Sequence, residues 1–71
     1  MAKITMERAD EMIKQILEQH DPSQKRSFML KTVLNAFSSS MASKTTRTQK
    51  LNTLVLKHNL DQNDHIPLYR V

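Results

Sequence analysis

The chain contains no cysteine and no glycine. Without cysteine, neither a disulfide nor a thiolate-based zinc site can staple the fold. Without glycine, the positive-φ corners of tight hairpins and the close backbone approach of phosphate-cradling loops have no residue that adopts them freely. A sheet-rich fold and a P-loop are therefore disfavoured. Long apolar runs are missing as well: nothing approaches the roughly 18 residues of a membrane-spanning helix. The start, Met1-Ala2-Lys3-Ile4-Thr5, leads into charged residues and not into a signal-peptide core. Together with the lack of cysteine, which fits a reducing compartment, this points to the cytoplasm and away from a membrane.

Length sets the next bound. A chain of 71 residues has room for one domain, and a domain of that size buries only about 60% of its unfolded surface. Apolar burial and chain entropy then nearly cancel, so small domains lean on a further stabilising device. With disulfides and thiolate metal sites excluded, self-association is the common device left, and a homodimer is the expected state.

Acid is the other scarcity. Residues 1–21 hold three bases against five acids, a net of −2. Residues 22–60 hold seven bases, Lys25, Arg26, Lys31, Lys44, Arg47, Lys50 and Lys57, and no acid, a net of +7, while the last eleven residues add −1. An acid-free stretch of 39 residues predicts an unneutralised positive surface.

The apolar pattern predicts an all-α protein: a compact three-helix domain over residues 1–60, followed by an extended C-terminal tail over 61–71. The helices are expected at about 6–20, 22–42 and 47–59. In the first, Thr5 serves as N-cap, and Met6, Ala9, Met12, Ile13, Ile16 and Leu17 fall within an arc of about 140°. His20-Asp21-Pro22-Ser23-Gln24 separates it from the second, with Asp21 expected as cap and Pro22 as the first helical residue. On the second helix Met29, Leu30, Val33, Leu34, Ala36, Phe37 and Met41 span about 160°, with Phe28 outside that arc. So wide a stripe must touch two helices or join a dimer interface, for which Phe28, Val33, Phe37 and Met41 are the candidates. The Ser/Thr cluster of residues 38–46 weakens helix propensity, and the break is placed at Ser43 to Thr46, with Thr46 capping the third helix. There Leu51, Leu54, Val55 and His58 share a face, and Asn59 is a natural left-handed terminator. Pro67 keeps Ile66 extended.

The sharpest functional pattern lies on the third helix, where Thr46, Lys50, Thr53 and Lys57 recur at i, i+4, i+7 and i+11, within about 60° of one another. Hydroxyls alternating with ammonium groups suit a phosphate backbone, since both donate hydrogen bonds and the lysines release condensed counterions. Lys44 and Arg47, with Lys25, Arg26 and Lys31 on the second helix, widen the expected footprint. The leading expectation is a small non-enzymatic regulatory protein that contacts nucleic acid. A helix-turn-helix, with Arg47, Gln49, Lys50 and Asn52 toward base edges, is a weaker form of the idea because the second helix is long and the turn lacks glycine.

The competing expectation is an adaptor or inhibitor of an acidic protein, anchored by Phe28, the methionines or the segment from Ile66 to Val71. Of the five methionines, four lie on apolar faces, where core filling is the simpler role. His20, His58 and His65 lack ligand spacing, so no metal is expected. Glu7, Asp10, Glu11 and Glu18 occupy a solvated face and Ser38 to Ser40 have no base beside them. No catalysis, cofactor or small-molecule substrate is expected.

Overall fold

The structure, a computed structural model, describes residues 4–69. Thr5 begins the first helix, α1 (Met6–Gln19): its extended backbone turns the hydroxyl back to accept the Arg8 amide at 3.1 Å. The next helix, α2 (Gln24–Ser39), starts two residues later than the sequence implied, and Ser23 caps it in place of Asp21. Both residue types cap well. Ser23 stands in the right register, its Oγ accepting the Arg26 amide at 3.2 Å.

Helix α2 ends at Ser39 and not near Ala42, because the serines bond backward. Ser39 Oγ donates to the Asn35 carbonyl at 2.9 Å and Ser40 Oγ to that of Phe37 at 2.7 Å, which offers the backbone an exit from the helical ladder. The third helix, α3 (Lys44–Lys57), begins correspondingly early, capped by Ser43 and not by Thr46. It stops where Asn59 adopts the left-handed conformation, φ 56° and ψ 45°, a role asparagine fills in a chain without glycine. A single turn, α4 (Leu60–Asn63), follows, so the first three residues of the expected tail are helical.

Helices α1 and α2 run antiparallel. At one end Ser40 Oγ reaches the Ile4 carbonyl at 3.3 Å, and at the other Arg26 Nη1 donates to the His20 carbonyl at 3.1 Å. One core joins all the elements: Ala9, Ile13 and Ile16 from α1, Leu30, Val33, Leu34 and Phe37 from α2, Leu51, Leu54 and Val55 from α3, then Leu60 and Ile66. Helix α2 packs against both α1 and α3, and that absorbs its wide apolar stripe within one chain. Val33 and Phe37, at 7% and 2% exposure, are therefore core residues and have no area left for a dimer partner; Met41 is partly buried against the same core. Phe28 alone of that set faces outward, at 71% exposure. Leu60, off the α3 face by helical spacing, is buried because the chain turns at Asn59.

The tail belongs to the domain. Ile66 is fully buried, and Asn52 holds Tyr69 by two backbone bonds, Nδ2 to the Tyr69 carbonyl and the Tyr69 amide to Oδ1, each 2.7 Å. A side-chain amide thus replaces the missing strand neighbour of an extended segment. Arg70 and Val71, part of the expected anchor, lie outside the described residues. No helix among the described residues is long and apolar enough to cross a membrane.

Candidate nucleic-acid interface

Helix α3 contains no carboxylate, and Lys44, Thr46, Lys50, Thr53 and Lys57 are all exposed on it. Burial of Leu51, Leu54 and Val55 orients the helix, and the expected stripe follows along the opposite side. The bonding partners then divide the stripe in two. Thr53 Oγ1 donates its proton to the Gln49 carbonyl at 2.8 Å, so it can accept but not donate outward. Lys57 Nζ lies 3.1 Å from Asp10 Oδ2 of α1, which already balances its charge. Among the described residues no carboxylate pairs with Lys44 or Lys50, which leaves the N-terminal half of α3, with Thr46 between the two lysines, as the unneutralised part.

The two arginines are not part of that surface. Arg26 packs with its guanidinium 12% exposed against Asp64, whose carboxylate is 1% exposed, with Nε to Oδ1 at 2.6 Å and Nη2 to Oδ2 at 3.3 Å. This bidentate pair fixes the start of α2 to the segment after α4, and Ser27 Oγ donates to the Asp64 carbonyl at 2.6 Å beside it. Arg47 is half-buried, and its Nη2 donates to the Met41 carbonyl at 2.9 Å across the α2–α3 connection. Expecting Arg26 and Arg47 to contact phosphate is thus corrected: a guanidinium satisfies several acceptors in a fixed fork, which suits it to tie loops inside a fold. The base-reading role drawn for Asn52 fails likewise, since its amide is engaged by Tyr69. Lys25 and Lys31 are exposed, but six helical positions set them about 120° apart on α2, and no flat ligand meets both.

Sequence reasoning missed the cluster that neutralises Lys57. Asp10 Oδ1 lies 2.5 Å from His58 Nε2 while Oδ2 meets Lys57. The His58 hydrogen bond first, then that of Lys57, holds the Asp10 carboxyl below its ordinary 3.8. The available signal was His58 on an otherwise apolar face, where an imidazole requires a partner; which residue supplies it depends on how α1 docks. Among the described residues no three His, Cys, Asp or Glu side chains converge as a metal site requires. Comparison with protein-family models, with curated proteins and with solved structures found no match.

Proposed function

We propose that this chain is a cytoplasmic, non-enzymatic regulatory protein that contacts the phosphate backbone of nucleic acid through the N-terminal half of α3. The observation that supports this is Lys50, exposed one turn after Thr46 on the side of α3 away from the core, on a helix that carries no carboxylate and begins with exposed Lys44. Thr46 and Lys50, one turn apart on the same side of a rigid helix, offer donors to a phosphate backbone and read no base edge, so the contact is non-specific in sequence. Lys44, six positions from Lys50 and about 120° around the helix, adds charge at the helix start and not a second contact in line. The competing adaptor role has less support, because Ile66 of its proposed anchor is core and Tyr69 is tied to Asn52.

Fluorescence anisotropy of labelled duplex DNA, single-stranded DNA and RNA, titrated across salt concentrations, tests the proposal. Binding is expected to weaken steeply with salt, and charge reversal of Lys50 to reduce the slope of log K against log salt by about 1. Reversal at Lys57 leaves the slope nearly unchanged. If no nucleic acid is bound even at low salt, the proposal is wrong.

A further inference from the structure

Against the first two turns of α2, where the end of α4 and the segment after it pass, lies a cavity of about 540 Å³. Gln24, Phe28 and Lys31 line it from α2, and Asn63 and His65 line it from the other segment. The first three stand at i, i+4 and i+7, so helical geometry puts them on one side of the rod. A volume in this range is what small-ligand sites take.

The lining divides into engaged and free groups. Ser23 Oγ accepts the Arg26 amide and Ser27 Oγ donates to the Asp64 carbonyl, so both are used within the fold. Asn63 Nδ2 donates to the Asn59 carbonyl at 3.2 Å, which leaves its Oδ1 to accept. Lys31 is exposed and pairs with no carboxylate among the described residues, and Gln24 is exposed beside it. The Phe28 ring is 71% exposed. His65 stands at φ 57°, uncommon for a residue with a Cβ, between Asp64, which holds Arg26, and the buried Ile66. Its two inward neighbours fix it there and leave its ring in the lining. Among the described residues no carboxylate lines the cavity.

These groups select the occupant. A cation finds no acid to meet it, and a neutral ligand leaves the Lys31 charge unanswered. An open aromatic ring takes a second planar ring against it, and an amide, which both donates and accepts, meets the polar edge of such a ring. The ammonium takes the anion attached to it. A nucleotide carries the planar ring, the polar edge and the anion in one molecule, and stacking on an aromatic side chain tolerates every base.

The geometry points to a nucleotide site in this cavity, with the base against Phe28, its edge toward Gln24 and Asn63, and its phosphate at Lys31. A free mononucleotide and an unpaired nucleotide of a single strand share this chemistry. The site uses none of the α3 residues and stands whether or not the α3 contact holds.

Isothermal titration calorimetry of the full chain with adenosine, adenosine monophosphate and an adenosine trinucleotide gives the test, with circular dichroism as the check on folding. Adenosine monophosphate is expected to bind. Phe28→Ala, at a side chain already in solvent, is expected to keep the helical signal and to weaken that binding at least about fivefold. Lys31→Glu is expected to weaken adenosine monophosphate about tenfold and adenosine little, because only the first brings an anion to the reversed charge. Lys50→Glu leaves adenosine monophosphate binding unchanged. In that variant, a trinucleotide bound more tightly than the mononucleotide supports the site with a single strand as the source, and one bound no more tightly supports it with the free nucleotide as the source. No binding of either ligand at millimolar concentration overturns the inference. So does binding that Phe28→Ala leaves intact, or binding that Lys50→Glu lowers as much as Lys31→Glu does.

Discussion

Within the acid-free stretch of residues 22–60, neighbouring polar side chains have opposite fates. Arg26, Ser27, Arg47 and Asn52 turn inward and bind chain segments to one another. Lys25, Lys31, Lys44 and Lys50 remain in solvent. The contrast follows from side-chain chemistry. A guanidinium or amide presents several fixed donors to carbonyls and carboxylates and loses little by being held, whereas an ammonium on a flexible stem keeps its hydration by staying outside. Formal charge per residue therefore overstates the electrostatic surface of this molecule: the +7 of the stretch includes two arginines engaged inside and one lysine matched by Asp10.

The largest effect should come from separating an inward pair. Asp64→Ala leaves the Arg26 guanidinium almost enclosed with no counter-charge, and the expected loss is about 3–5 kcal/mol of unfolding free energy in denaturant titration. In a domain this small such a loss leaves the fold marginal. Lys31→Ala, five residues further along the same helix, should change stability by no more than about 0.5 kcal/mol. Equal losses at the two positions would refute the division between inward and outward groups.

Asn52 tests the same division without charge. Its alanine variant removes both bonds to the Tyr69 backbone and should cost about 1–3 kcal/mol. Burial holds the Tyr69 phenol above its ordinary 10.0. With one tyrosine and no tryptophan in the chain, ultraviolet titration of tyrosinate follows that group alone. Asn52→Ala should bring its midpoint back toward 10.0 as the tail leaves α3; an unchanged midpoint would mean that Ile66 suffices to dock the tail.

How much of this was legible beforehand depends on the distance over which each signal acts. Caps and helix faces are local: Thr5 capping α1, the Leu51, Leu54 and Val55 face of α3 and the left-handed Asn59 follow from residues within one or two turns. Where the local code was degenerate, the boundary moved. Asp21 and Ser23 both cap well, and so do Ser43 and Thr46, and the choice fell to whichever register let the rest of the chain bond. The candidate site was half legible for a different reason. Helical spacing put Thr46, Lys50, Thr53 and Lys57 on one exposed side, but Asp10, which balances Lys57 and also bonds His58, reaches the end of α3 only when α1 docks there. Arg26 and Asp64 lie 38 residues apart, and nothing local in either predicts the pairing.

Asp10 offers a pH test of the boundary between balanced and free charge. Its folded carboxyl is held below 3.8 by His58 and Lys57, so in the unfolded chain it binds protons more readily. The stabilisation is then fully present above 3.8 and is lost as pH falls through the depressed folded value. Melting temperature should drop over that acidic window more steeply for the wild type than for Asp10→Asn, and parallel curves would show that the cluster carries no linkage.

The smallest effect separates Lys57 from Lys50, one balanced and one free on the same stripe. Both lysines are exposed on the same side of α3. Lys57→Ala removes one of the two groups that hold Asp10, and because the ammonium is 58% exposed that loss is reduced by solvent screening to at most about 0.5 kcal/mol. Lys50→Ala has no partner to lose and should leave stability unchanged. In nucleic-acid binding the order reverses: Lys50→Ala should flatten the salt dependence by about 1 in slope, while Lys57→Ala changes it little because Asp10 already offsets that charge. Stability and binding responding in opposite order to two lysines seven residues apart would locate the edge of the interface between them, at Thr53, whose hydroxyl proton is held by the Gln49 carbonyl.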